Sequence, residues 1–145
     1  MRRVLLRSLA VVIILAAVVA GIGALRVHLT FGTKIDESDL TVNLDEGDRF
    51  SLAVPDRGAS VGDSWSAAAT PDGVLEAVDN RKVMSNLADR LFGPEMGGGG
   101  GTRYFVFEAR KQGTARVVVN NCFRGCDNEN TRRFARSVTW TITVD

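Results

Sequence analysis

The residues with any chemistry to offer lie close together in the last third of the chain. Cys122-Phe123-Arg124-Gly125-Cys126 sets two thiols four residues apart. A redox pair usually has two residues between its cysteines, and here there are three. Two cysteines also supply only half of a structural zinc set, and no histidine is near. The single histidine, His28, follows a long apolar run by three residues, so a Cys–His nucleophile pair is not expected. Asp127, Asn128, Glu129 and Asn130 could offer oxygen ligands to calcium, but they lack the Asp-x-Asp-x-Asp-Gly spacing of such a loop. The glycine run Gly97, Gly98, Gly99, Gly100, Gly101 is followed by Thr102-Arg103 and a strand, not by Lys-Ser/Thr and a helix, so it is not a phosphate loop. These patterns indicate a binding module, with no catalytic residue, no cofactor and no metal. Five bare-backbone residues in a row are expected to be neither helix nor sheet, but a loop whose main chain another molecule can approach.

The elements that must position these residues are short strands. Thr102 to Arg110 is rich in aromatic and β-branched residues, Lys111-Gln112-Gly113 turns, and Thr114 to Asn121 returns as a second strand. Upstream, Leu40 to Leu44 and Phe50 to Val54 alternate apolar with polar, the second ending at Pro55. Arg57 to Ser64 is a loop by composition, Trp65 to Thr70 a strand, Pro71-Asp72-Gly73 a turn, and Val74 to Val78 a short strand. Ser137 to Val144 puts Val138, Trp140, Ile142 and Val144 on one face. Val83, Leu87 and Leu91 recur at helical spacing and predict a short helix stopped by Gly93-Pro94, with an irregular arm as the alternative. Many short strands between turn signals predict an all-β sandwich.

Leu9 to Leu25 carries no charge over 17 residues. As a helix it is about 26 Å long, at the lower end of what spans a bilayer. Arg2, Arg3 and Arg7 precede it, which predicts a cytoplasmic N-terminus and an extracytoplasmic remainder. Small residues at Gly21-Ile22-Gly23 leave cleavage before Ala24, and hence secretion, as the alternative. The expected organisation is a cytoplasmic tip and transmembrane signal anchor over 1–26, a polar tether over 27–38, and a β-sandwich domain over 39–145. An even cysteine count outside the cytoplasm favours a Cys122–Cys126 disulfide, either a plain staple or a clasp presenting Phe123 and Arg124. Charge is balanced, with 18 basic and 17 acidic residues, which argues against a nucleic-acid partner.

In order, the chain shows Glu46-Gly47-Asp48 leading into Phe50 to Val54, a loop after Pro55, Trp65, a glycine-rich loop, Gly100-Gly101-Thr102-Arg103-Tyr104-Phe105-Val106-Phe107, and Gly113-Thr114. This resembles the chagasin family of cysteine-protease inhibitors over about residues 38–145. The resemblance implies an immunoglobulin-like β-sandwich and blockade of papain-type proteases by three neighbouring loops. On this sequence those loops would present Ala59, Ser60, Val61 and Gly62; Gly97 to Gly101; and Phe123 with Arg124. The first loop of the family reads Asn-Pro-Thr-Thr-Gly, of which Gly62 alone is kept, and the family's Arg-Pro-Trp falls at the cysteine ring. The expected function is a membrane-anchored, non-covalent inhibitor whose partner is a papain-type protease. The alternative is an envelope binding or structural module on the same fold.

Overall fold

The computed structural model describes residues 2–86 and 99–145. The elements are helix α1 (Arg2–Phe31), strands β1 (Thr33–Ile35), β2 (Thr41–Leu44), β3 (Arg49–Asp56), β4 (Trp65–Thr70), β5 (Leu75–Met84), β6 (Gly101–Ala109) and β7 (Gly113–Asn121), the single turn α2 (Glu129–Arg132), and strand β8 (Arg136–Val144). They form two four-stranded sheets, ordered β1-β3-β6-β5 and β2-β8-β7-β4. Both are mixed: β1 runs parallel to β3 and β2 parallel to β8, and the remaining pairs are antiparallel.

Strand alternation sends one side chain in two toward the opposing sheet. Phe50, Leu52 and Val54 of β3 meet Phe105 and Phe107 of β6, and across from them lie Val117 and Val119 of β7 and Trp140, Ile142 and Val144 of β8, all in one buried cluster. Trp140 has no exposed surface, and its indole N–H donates to the Asp36 carbonyl at 3.2 Å. Trp140→Phe removes that bond and part of the ring volume. It is expected to cost about 1 to 2 kcal/mol in urea unfolding.

Four expectations change. The strand opened by Phe50 does not stop at Pro55 but runs to Asp56. β1 pairs only with Phe50, Ser51 and Leu52, so beyond it β3 has an open side where a proline is tolerated. The helix read from Val83 onward does not begin there, because Val83 and Met84 are the last residues of β5 and pair with Thr102 and Gly101. The rest of that stretch, including Leu87, Leu91 and Gly93-Pro94, lies outside the described residues. Gly101 belongs to the sheet, since a Cβ there would collide with the Val83 carbonyl oxygen, and only glycine lets β5 close on β6. Finally, the 27–38 segment is no free tether: α1 continues to Phe31 and β1 joins the sheet at Thr33. Within α1, Ile13–Phe31 is long and apolar enough to cross a membrane by length and composition.

Candidate functional site

Strand register decides which loops become neighbours. Asp56, the end of β3, pairs with Gly101, the start of β6, and Gly101 pairs with Met84, the end of β5. In the other sheet Trp65, the start of β4, pairs with Asn121, the end of β7, which pairs with Arg136, the start of β8. The 57–64 loop joins Asp56 to Trp65 and so bridges the two sheets at this end. The loops at 57–64, before Gly101, and at 122–135 therefore leave the same edge of the sandwich, hereafter the tip.

Beneath the tip the core ends in charge. Asp56 continues the inward row of Phe50, Leu52 and Val54, and its side chain is about as buried as theirs. One carboxylate oxygen accepts from Arg103 Nε of β6 at 2.6 Å. The other accepts from the Gly58 backbone N–H at 2.7 Å and lies 3.5 Å from Lys82 Nζ of β5. The Lys82 ammonium also donates to the Gly99 carbonyl at 2.7 Å, and Arg103 donates to Asn80 Oδ1 at 3.0 Å. One carboxylate thus ties three strands to the 57–64 loop and, through Lys82, to the neck of the glycine loop. A second neck bond runs from Ser85 N–H to the Gly100 carbonyl at 3.0 Å. None of Asp56, Lys82 or Arg103 stood out in the sequence. The available signal was a row of apolar residues in β3 that ends in an acid, opposite basic residues on the matching rows.

A parallel device supports the other half of the tip. Buried Asp63 accepts from Arg57 Nη2 at 2.7 Å, Arg57 Nε at 3.2 Å and the Arg57 backbone N–H at 2.8 Å. Asn121 Nδ2 donates to Asp63 at 3.0 Å, while Asn121 Oδ1 accepts from Ser64 N–H at 3.0 Å. The side-chain bonds from Arg57, joined by those from Asn121 and the Arg57 backbone, outweigh burial and hold the Asp63 carboxyl at about 2, below its ordinary 3.8. A depressed folded-state value stabilises above the unfolded pKa and is lost as pH falls through the folded one. After allowance for solvent around the exposed guanidinium, the contribution is about 1 to 2 kcal/mol. The stability gap between the native chain and Asp63→Asn should stay constant above pH ~5 and narrow between pH ~4 and ~2 in unfolding titrations.

The first and third loops interlock. Cys122 N–H donates to the Ser64 carbonyl and Arg124 N–H to the Gly62 carbonyl, both at 2.8 Å. Gly62 sits at φ +106°, with its open side against Arg124 and Phe123. The Phe123 ring takes the Arg57 guanidinium 5.1 Å from its centre and that of Arg124 at 5.3 Å, and meets Phe134 edge-on at 5.9 Å. Cys122 and Cys126 form a disulfide. Asn128 caps α2 by accepting from Asn130 N–H at 2.9 Å, which turns that polar stretch into a small knob beside the ring. Replacing both cysteines by serine is expected to cost about 2 kcal/mol by chain entropy, readable as a lowered melting temperature.

Of the residues singled out in the sequence, Gly62 is bonded to Arg124 and lies against Phe123, Ala59, Ser60 and Val61 belong to the same loop, and Gly99 and Gly100 stand at the same edge. A Cβ added at Gly100 would meet no atom within 4 Å, and Ala59, Ser60 and Val61 are exposed. Gly101 is drawn down into β6, and Gly97 and Gly98 lie outside the described residues. Among the described residues no group of His, Cys, Asp or Glu could hold a metal ion.

Solved structures with this fold include amebosin, 16% identical, TM-score 0.57, matched over 78% of this chain and 97% of that one. The cysteine protease inhibitor EhICP2 from Entamoeba histolytica is 14% identical at TM-score 0.57, over 78% and 95%. PbICP-C, solved in complex with falcipain-2, is 13% identical at TM-score 0.53, over 79% and 100%. No curated protein matches the sequence. The family model for the chagasin family peptidase inhibitor I42 matches residues 43–144, from β2 through β8 and across all three tip loops. A family of inhibitors, not enzymes, accounts for a site built of main chain, arginine and aromatic rings, and the chain belongs to the chagasin family.

Proposed function

We propose that this protein is a membrane-anchored, extracytoplasmic inhibitor of papain-type cysteine proteases that acts without covalent chemistry. Its main chain at Gly97 to Gly100, with Gly101 anchoring the loop in β6, would lie along the protease cleft, flanked by Ala59 to Gly62 on one side and Phe123 with Arg124 on the other. In this reading the sandwich is immunoglobulin-like, α1 is the anchor, and the Cys122–Cys126 bridge holds Phe123 and Arg124 for docking. The observation that carries the proposal is the family match together with the hydrogen-bonded tip. Loops already cross-bonded lose little freedom on docking, so more of the contact energy appears as affinity. PbICP-C forms a complex with falcipain-2, which makes a papain-type protease the natural first target to try. The test is inhibition of papain by the full chain in detergent. Tight, reversible inhibition that requires the glycine loop supports the proposal, and none at micromolar concentration removes it.

A second reading is an envelope protein-binding module on the same fold. It is favoured by the first loop, where Gly58 to Val61 stand in place of the family's Asn-Pro-Thr-Thr and an Arg57–Asp63 ion pair closes the loop. Capture of a non-protease partner from envelope extracts, lost when Arg124 is replaced by alanine, would support it.

A further inference from the structure

The junction between α1 and the domain leaves little room for swivelling. The helix continues to Phe31, which is buried and meets the Tyr104 ring of β6 at a tilt of 54°, 4.8 Å between ring centres. The Lys34 ammonium lies over both rings, at 4.9 and 5.2 Å. Gly32 closes the last turn by donating to the His28 carbonyl at 2.7 Å and then reverses at φ +60°. A Cβ at Gly32 would overlap the Arg49 carbonyl, so the chain is pressed directly onto β3. Arg49 Nη1 donates to the Leu29 carbonyl at 2.8 Å, which satisfies an orphan acceptor at the helix end and sets a cation on its negative pole. One residue later β1 is in the sheet.

This junction has a direction. His28 and Leu29 share a recess with Asp48 and Arg49, at the start of β3. The tip begins at Asp56, the other end of the same strand. Seven residue steps separate them, roughly 23 Å at the rise of a strand. We infer that the sandwich stands on the bilayer with its 45–48 and 110–112 turns toward the lipid and its three-loop tip held away from it. The partner this arrangement can take is a protein whose groove approaches from the aqueous side, not one seated in the same bilayer with its groove at headgroup level. The inference rests on α1 being the membrane anchor.

The experiment uses the full chain in phosphatidylcholine vesicles, with a fluorophore at Lys111→Cys or at Gly100→Cys and a quencher on the lipid headgroups. Flotation with the vesicles is read first. Quenching should be at least about threefold stronger at 111 than at 100, given the length of β3 between the two ends. A flexible Gly-Ser insertion between Phe31 and Gly32 should bring the two values together. Equal quenching in the uninterrupted chain overturns the orientation, and a difference that the insertion leaves intact overturns the stiff junction. A chain that does not float removes the anchor and this inference together, which separates failure of the anchor from failure of the orientation.

Discussion

Asp56→Ala is expected to lower the stability of the domain by about 3 to 5 kcal/mol, the range for breaking one partner out of a buried ion cluster. The carboxylate has almost no exposure, and Lys82 and Arg103 are themselves largely covered, at 14% and 26% side-chain exposure. Removing the acid leaves two cations under the tip without their anion and strips the Gly58 N–H of its acceptor. For a domain of this size the melting temperature should fall by at least about 12 °C, measured by circular dichroism. Asp56→Asn keeps an acceptor for Gly58 and should lose less. The triple change Asp56→Ala, Lys82→Met, Arg103→Met removes the stranded charges and should recover much of the loss, because buried ions are often replaceable by packed apolar groups. A cost below about 1 kcal/mol for Asp56→Ala would mean that the cluster does not hold up the tip.

Gly62→Ala combines two penalties. At φ +106° an alanine is held in a region that costs of order 1 to 3 kcal/mol. Its Cβ would also come to 2.5 Å from Arg124 Cγ and 3.3 Å from the Arg124 backbone nitrogen, so the Arg124 side chain must shift and the backbone beside it must give by a few tenths of an ångström. We expect a stability loss of about 2 to 3 kcal/mol and, with displaced Phe123 and Arg124, at least about tenfold weaker protease inhibition. The neighbouring Val61→Ala, at an exposed position, should change stability by less than about 0.5 kcal/mol. If Gly62→Ala inhibits papain as well as the native chain does, the link between the first and third loops does not set the binding surface.

Much of this architecture is legible in the chain because it is local. Strands β2 and β8 announce themselves by alternation, β6 and β7 by β-branched and aromatic composition, β4 by the loop and turn signals on either side of it, and the turns by Gly, Pro and Asp. The Cys122–Cys126 bridge was expected from the even cysteine count, and the inhibitor family from the stretch around Gly100 to Phe107. β5 was harder. It pairs with β6 along nearly its whole length, but Val78 is an extra residue between Ala77 and Asp79. A bulge shifts the alternation by one, so the inward side chains before it and after it fall out of phase and no period of two shows, while the four-residue spacing of Val83, Leu87 and Leu91 reads as helical. The strand exists because β6 offers it a ladder, which no local pattern records.

The amino-acid order alone therefore determined the strands with clean alternation, the apolar helix, the disulfide and the family. Tertiary structure alone decided what those parts do together. It turned Gly101 from a loop residue into the close-packed start of β6, and it placed the end of α1 and strand β1 within the 27–38 segment. It also gathered Asp56, Lys82 and Arg103, scattered along the chain, into the polar cap that carries the tip. The reason is the same in each case. Periodicity and turn chemistry act over a few residues, whereas a Cβ collision with a neighbouring strand, or a buried charge finding its counter-charge 47 positions away, exists only once the sheets have closed.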